Sequence, residues 1–471
     1  MRYFRIFFVL LLFATYGCRK TDFDIITISL QQSVPITKAG SFPRDTSCYD
    51  VTFSDINNYL INKQANAKHN SKTSKVLDIQ PKVGATGITS YVINYEKGCE
   101  IISADKRVCP VLAFSESENI DISDIPDAAK EWLQELNDQI DNIRMMTNYP
   151  LSEIDLANLR YWNNLAKSGY LDPFDPPEIP SSYPPGHWTL VDSQIDYYNN
   201  VVDHLVPVKW GQGSPFNNCC PYLRQDFPGK RTPAGCVAIA GAQLLYYLHS
   251  LWGVPEKAPS SGSVTGYVVP SNDYVQNFPT ENATIWDQMA MHNDSTAFLI
   301  GSIGKGVGMA YGTYYEIRNG VLVNIQSGAS LESFPNYIAD KYGIYSTLDS
   351  LYNNSGVSTI INSIDNDLPV YVCASISQQG HAFLIDAYRQ DYRKYTNIFQ
   401  YVCDDPTINN MLHLPRVTKI IHEPMSKYFK MNWGYEGEGD EIWFAPLQDW
   451  SHDDVPNFNR RLFYYNFRLT P

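Results

Sequence analysis

Three short apolar runs follow one another in the first third of the chain: Tyr91–Tyr95, Gly98–Asp105 and Val108–Phe114. Each has the length and the β-branched or aromatic content of a strand, and their close succession predicts an antiparallel meander. From Asp127 to Arg144 the apolar residues instead recur at helical spacing, which predicts a helix with one apolar face. That face consists of Trp132, Leu136, Ile140 and Ile143. The region from Asp22 to about Leu171 is therefore predicted to be a small α+β unit.

A proline-rich stretch follows this unit. Six prolines lie among the fifteen residues 172–186, which excludes regular helix or a central strand. The stretch predicts a boundary or an exposed linker, of the kind that proteases cut. It separates residues 18–188 from residues 189–471, and the second segment has the size of one enzyme domain.

The N-terminal residues have the pattern of an export signal. Two arginines precede an unbroken apolar run from Ile6 to Ala14, which is shorter than the about 20 residues of a membrane-spanning helix. Gly17 and Cys18 come soon after the run, and a small residue directly before a cysteine resembles the lipobox of bacterial lipoproteins. We expect residues 1–17 to be a lipoprotein signal peptide and Cys18 to be lipidated, which would place the protein at the bacterial cell envelope. An ordinary cleaved signal with an incidental Cys18 is the alternative.

Composition narrows the class of protein further. The chain of 471 residues is 13% aromatic and carries a net charge of -14, so a large core is possible and nucleic acid is not an expected partner. The nine cysteines are an odd number, so at least one thiol is expected to be free or to have another role. Cys99 and Cys109 are predicted to lie on neighbouring strands, where they could pair.

Cys236 is the first candidate for chemistry. Pro233 and Gly235 indicate a turn, and the small apolar residues from Val237 onward predict a buried helix that begins at Cys236. The positive end of a helix dipole and its unsatisfied N–H groups favour a thiolate, and a thiolate is a nucleophile for covalent catalysis. A buried structural cysteine is the alternative for this segment taken alone.

His381 and Asn432 lie in two further segments. His381 follows Gly380 at the start of a predicted strand, 145 residues after Cys236; papain-type peptidases separate the two by roughly 130–150 residues. An amide such as that of Asn432 can bond one imidazole nitrogen and fix its tautomer, and Trp433 could cover that contact and exclude water. Together the segments predict a Cys–His dyad oriented by Asn432 and Trp433.

At these residues the sequence resembles the streptopain family of bacterial cysteine peptidases. The matching segments are Gly235–Ala238, Gly380–Asp386, Asn432–Gly434 and Trp210–Asn217. The resemblance implies a papain-like α+β peptidase domain, and it implies that Gln212 joins the backbone N–H of Cys236 in an oxyanion hole. Residues 98–107 and 110–115 are similar to the family's propeptide, so residues 18–188 are expected to be an α+β propeptide domain. It would inhibit the peptidase at 189–471.

The chain also departs from the family. The connection between Tyr388 and Tyr428 is longer than usual and is expected to form an extra hairpin, Tyr435 stands where tryptophan is common, and Cys99 stands where phenylalanine is typical.

The sequence thus predicts an exported zymogen that hydrolyses protein or peptide substrates. Its maturation cut is expected between about Gly186 and Asp203, which would release the peptidase from a lipid anchor. We expect no metal and no other cofactor, because no paired ligand spacing or phosphate loop occurs. Two alternatives remain open: a catalytically degenerate surface lipoprotein that binds a partner, and a transglutaminase-like acyltransferase. Absence of an epoxide adduct on Cys236 would favour the first, and crosslinked products the second.

Overall fold

A computed structural model gives the fold of this protein. It describes residues 48–66, 75–117, 125–146, 149–166, 176–223, 229–252, 263–266, 274–277, 294–318, 321–350, 354–376, 379–411, 415–446 and 461–469. All of these belong to one compact unit that spans residues 45–471. The predicted signal segment and Cys18 lie outside the described residues. Among the described helices, none is long and apolar enough to cross a bilayer.

The first part of the chain forms the predicted α+β unit. Its elements are α1 (Phe53–Asn66), β1 (Val76–Gly84), β2 (Gly87–Tyr95), β3 (Cys99–Ser103), β4 (Val111–Ser115), α2 (Asp127–Met145) and α3 (Glu153–Ala166). Strand β1 pairs antiparallel with β2, β2 with β3, and β3 with β4. The predicted meander and the predicted helix with a buried apolar face are both confirmed.

The second part contains the remaining elements. They are β5 (Gly186–Val202), α4 (Cys236–Trp252), β6 (Ser263–Gly266), β7 (Tyr274–Asn277), α5 (Asp294–Gly306), β8 (Ala310–Arg318), β9 (Val321–Gly328), α6 (Ser333–Tyr342), β10 (Ile344–Ser350), α7 (Asn354–Asp365), β11 (Val370–Ile376), β12 (Gln379–Cys403), α8 (Pro406–Met411), β13 (Arg416–Asn432), β14 (Trp443–Phe444) and β15 (Arg461–Leu469). Helix α4 is mostly apolar and lies within one of the two large core clusters, as expected of a central helix.

One sheet joins the two parts. Its strand order is β1-β2-β3-β4-β14-β13-β12-β11-β15-β10, and β5 pairs with β12. The junction is the short strand β14, where Trp443 pairs with Phe114 and Phe444 with Ala113. A single core cluster also contains residues of both parts, among them Trp132 and Ile140 on α2 and Phe383 on β12. The two parts therefore share backbone pairing and apolar packing.

The segment after the prolines is a strand. Strand β5 is paired antiparallel with β12 from Gly186 opposite Cys403 to Val202 opposite Tyr388, with one bulge at Val191. The expected domain boundary at residues 188 and 189 falls inside this strand. Its residues lack proline and include several β-branched and aromatic side chains, which suit a pleated surface. Just before this strand, the described residues 176–185 form neither helix nor strand.

The long connection after Tyr388 forms the expected hairpin. Strands β12 and β13 continue their pairing to Gln400 opposite Arg416, so the extra residues lengthen the two strands. With β5 on the other edge of β12, they make a three-stranded extension of the sheet.

The predicted pairing of Cys99 with Cys109 is wrong. Neither residue is in a disulfide bond, and the same holds for the other cysteines among the described residues. Cys99 opens β3, whereas Cys109 lies in the turn before β4 and its thiol donates a hydrogen bond to the Val111 carbonyl at 3.3 Å. The two side chains therefore do not occupy a cross-strand pair.

Candidate active site

Cys236 is the first residue of α4. The preceding Gly235 has φ +90°, and its carbonyl accepts hydrogen bonds from the N–H groups of Ala238 and Ile239 at 3.1 Å each. A Cβ atom at Gly235 would lie 2.5 Å from the Met309 sulfur, so both the backbone conformation and the space require glycine. This turn places the thiol at the positive end of a buried helix.

His381 lies near the start of β12, opposite Ala374 of β11. Its Nε2 is 3.1 Å from the Trp433 carbonyl oxygen. A carbonyl can only accept, so Nε2 carries a proton and Nδ1 is left to exchange a proton with a thiol. The imidazole is 9% exposed, which limits competition from water for both nitrogens.

The two side chains form an electrostatic pair. Burial alone raises the pKa of the Cys236 thiol, but the His381 imidazole and the N–H groups of Ala382 and Val237 lower it below its usual value. For His381, burial alone lowers the pKa, but the charge and hydrogen bond of Cys236 and the Trp433 carbonyl raise it. The opposite shifts favour a thiolate–imidazolium pair.

The Asn432 amide is engaged elsewhere, in contrast to the prediction. Its Nδ2 donates to the Val208 carbonyl at 2.9 Å, and its Oδ1 accepts from Gln243 at 2.9 Å. The Oδ1 atom also accepts from the Gly434 N–H at 3.3 Å. The group that holds the imidazole is thus the backbone carbonyl of the neighbouring residue, and Asn432 holds the loop that presents it.

Trp433 lies in the core beside the site. Its ring packs against Phe383 with centroids 4.6 Å apart, while His381 has stacked neighbours in Phe383 at 6.0 Å and Tyr435 at 5.8 Å. The expected cover over the imidazole is therefore supplied by Tyr435 and Phe383. The Trp433 backbone makes the contact that the sequence assigned to a side chain.

Gln212 is hydrogen-bonded to the turn that precedes Cys236. Its side-chain Oε1 accepts from the Gly235 N–H at 2.8 Å, and its backbone carbonyl accepts from the Ala234 N–H at 3.0 Å. The Nε2 atom is buried and has no hydrogen-bond partner among the described residues. A buried amide that is held at one end and unpaired at the other is suited to donate to an anion that forms beside it.

Helix α2 of the first part packs against Phe383, which stacks on His381. The Trp132 indole donates to the Ala445 carbonyl at 3.1 Å and meets Phe383 edge-on, with centroids 6.2 Å apart. The charge of Glu131, one residue earlier, contributes to the raised pKa of His381. The N-terminal part therefore contacts the elements that hold His381.

Two buried polar residues near the site were missed by the sequence. Gln243 bonds both Asn432 and the Trp210 N–H, and Asp440 accepts from the Trp433 N–H at 3.0 Å. Burial raises the pKa of Asp440 to about 7. Gln243 stands seven residues after Cys236, about two helical turns further along α4. This spacing puts both residues on one helix face and is the sequence signal that could have identified Gln243. Among the described residues, no group of three or more His, Cys, Asp or Glu side chains is arranged to hold a metal ion.

Comparisons with known protein families identify the class of protein to which this chain belongs. Residues 210–443 match the Peptidase C10 family, and residues 54–140 match the Spi protease inhibitor family. The chain belongs to the streptopain-type C10 cysteine peptidases and carries an inhibitory propeptide domain ahead of the peptidase. The resemblance drawn from the sequence and the α+β order of propeptide and peptidase are confirmed.

Among solved structures, a fragment of prointerpain A from Prevotella intermedia is similar to this chain. It is 19% identical, with 82% of this chain and 97% of that chain covered and a TM-score of 0.46. No curated protein sequence matches the chain significantly.

Proposed function

We propose that the mature protein hydrolyses peptide bonds through a thioester on Cys236. The observation that carries this proposal is the placement of Cys236 as the first residue of a buried helix, with His381 held through Nε2 by the Trp433 carbonyl. Their interaction lowers the pKa of Cys236 and raises the pKa of His381. A thiolate formed this way is a nucleophile at neutral pH without an external base.

The residues take the following parts in the reaction. The thiolate attacks the substrate carbonyl, and the oxyanion accepts hydrogen bonds from the Gln212 Nε2 and the Cys236 N–H. His381 gives its Nδ1 proton to the leaving amine and then removes a proton from the water that hydrolyses the thioester. The Trp433 carbonyl keeps the imidazole in place through its bond to Nε2.

We further propose how the zymogen is exported and held. Residues 1–17 act as a lipoprotein signal, Cys18 carries the lipid at the bacterial cell envelope, and residues from 18 onward form the propeptide. We place the maturation cut at 176–185, just before the interval of about Gly186 to Asp203 that the sequence indicated. The reason is that β5 is paired from end to end apart from a bulge at Val191, and a protease needs an extended substrate free of such pairing. The mature enzyme then keeps β5.

Comparing the full-length wild type with Cys236→Ala tests these points. Intact mass and N-terminal sequencing should show a wild-type chain cut within 176–185 and a variant that stays unprocessed and cleaves no fluorogenic peptide. A Cys236→Ala chain with the wild-type rate of hydrolysis would refute the mechanism. Mature N-termini beyond Gly186 would refute the position of the cut, and crosslinked products in place of cleaved ones would favour acyl transfer to amines.

A further inference from the structure

Gln243 bonds to two of the segments that the proposed mechanism uses. It is fully buried on α4, on the helix that begins with Cys236. Its Oε1 accepts from the Trp210 N–H at 2.9 Å, and its Nε2 donates to the Asn432 Oδ1 at 2.9 Å. One side chain thus joins the nucleophile helix to the segment before Gln212 and to the end of β13.

The contact with Asn432 leads to the imidazole. The Asn432 Oδ1 accepts a second hydrogen bond, from the Gly434 N–H at 3.3 Å. That N–H belongs to the same planar peptide unit as the Trp433 carbonyl, which is the group that bonds His381. Fixing the Asn432 oxygen therefore fixes the orientation of the carbonyl that holds the catalytic histidine.

The contact with Trp210 leads to the oxyanion hole. Trp210 is itself fully buried and stands two residues before Gln212. The Gln212 side chain and carbonyl in turn hold the N–H groups of Gly235 and Ala234, directly before the nucleophile. The hydrogen bonds close a ring from α4 to the Gln212 segment and back to the start of α4.

We infer that Gln243 is a positioning residue for catalysis, which sets the relative placement of the Gln212 segment, the Trp433 carbonyl and Cys236. Only an uncharged side chain with one acceptor and one donor at the same reach satisfies both partners, and among the common residues that is an amide. This inference rests on the proposed mechanism, because the groups that Gln243 positions are the groups that the mechanism uses. A small displacement of reacting groups costs up to about 100-fold in rate.

The test compares Gln243→Met with Tyr247→Phe. Methionine keeps the approximate volume and loses both hydrogen bonds. Tyr247 lies one turn further along the same helix, and its hydroxyl donates to the Asp367 carbonyl at 3.0 Å, away from the three segments. Each full-length variant is matured with a trace of affinity-tagged wild-type enzyme, which is then removed. kcat and KM are measured per active site titrated with a thiol-reactive epoxide, together with the melting temperature.

We expect Gln243→Met to lower kcat by about 10- to 100-fold while KM changes by less than about twofold. Tyr247→Phe should keep the wild-type kcat, although its melting temperature should fall by about as much as that of Gln243→Met. Combining Gln243→Met with Asn432→Ala should lower kcat no further than the worse single variant, because both interrupt one path. Equal kcat values for Gln243→Met and Tyr247→Phe, or multiplicative losses in the double variant, would overturn the inference.

A second measurement does not depend on maturation. The rate of alkylation of Cys236 by iodoacetamide, followed by peptide mass in the full-length chain, reports the thiolate fraction at each pH. In the Gln243 variant the rate should rise at higher pH than in wild type, toward the pKa of about 8.5 of an ordinary thiol. If Gln243→Met does not fold, Gln243→Glu, which keeps an acceptor for Trp210, takes its place. An unchanged alkylation profile would overturn the inference.

Failure of this inference is distinguishable from failure of the mechanism. An active Cys236→Ala protein would refute the mechanism whatever Gln243 does. An inactive Cys236→Ala protein beside a fully active Gln243→Met protein would refute the positioning role alone.

Discussion

Replacing Gln212 by glutamate removes the side-chain hydrogen-bond donor and adds a negative charge, while it keeps an acceptor oxygen at the same reach. A carboxylate oxygen can still accept the Gly235 N–H, which the native Oε1 holds at 2.8 Å, so the turn before Cys236 keeps its tie. The Nε2 donor is lost, and this atom is buried without another partner among the described residues. The substitution therefore separates the proposed donation to the oxyanion from the structural bond.

The expected loss follows from the number of donors removed. Losing one oxyanion-hole donor lowers kcat by about 10²–10³-fold, or about 2.7–4 kcal/mol of transition-state stabilisation. The added negative charge opposes the developing oxyanion, so the loss should lie at the upper end of that range. KM should change little, because the oxyanion exists only in the transition state and the tetrahedral intermediate.

Steady-state hydrolysis of a fluorogenic peptide measures this loss, with active sites counted by an irreversible epoxide. Gln194→Glu is the matched control, since Gln194 is exposed on β5 and its amide bonds only the Asp196 carboxylate at 3.0 Å in the described structure. A Gln212→Glu enzyme that titrates fully and keeps kcat within about threefold of wild type would refute the role of Gln212.

Two other predictions concern the dyad and the propeptide. The Cys236 pKa is lowered and the His381 pKa is raised, so kcat/KM of the mature enzyme should be bell-shaped. Activity should be lost on acidification as the thiolate is protonated, and lost at alkaline pH as the imidazolium deprotonates above its usual pKa of about 6.5. A single rise near pH 8.5, the pKa of an isolated thiol, would contradict the ion pair. Trp132→Ala should weaken propeptide docking by about 3–5 kcal/mol and shorten the lag before self-processing, since the indole is 3% exposed and donates to Ala445. Met145→Ala, at an exposed position of the same helix, should leave the lag unchanged, and an unchanged lag in the Trp132 variant would show that docking does not depend on α2.

Local patterns in the sequence were sufficient for much of the fold. The meander, α2, the helix start at Cys236 and the strand at His381 all depend on a few neighbouring residues, so periodicity and glycine placement predicted them. Strand β5 did not follow from the prolines before it, because its partner β12 is about 200 residues further along the chain and tertiary pairing decides its conformation.

In the candidate site, too, the sequence predicted some features and missed others. The sequence identifies residue types that can perform the chemistry, but it does not specify side-chain rotamers or backbone hydrogen bonds. Asn432 was expected to bond the imidazole because amides commonly do, whereas its side chain turns toward Val208 and Gln243. The acceptor for His381 is a main-chain carbonyl, and because every residue has one, its role cannot be predicted from the residue type.

The junction between propeptide and peptidase has a thermodynamic consequence. Among the described residues, backbone pairing across the junction is confined to β14 and the neighbouring Ala445, whose N–H donates to the Leu112 carbonyl. The core around Trp132, Phe383 and Phe429 is shared by both parts. Burial of apolar surface therefore contributes most of the free energy that holds the propeptide against the peptidase. Separation of the two should carry a large positive heat-capacity change. Such an association responds to temperature and to chaotropic solutes more than to ionic strength. The mature enzyme, once separated, is left with a bared strand edge and an apolar face, the two features that make proteins self-associate.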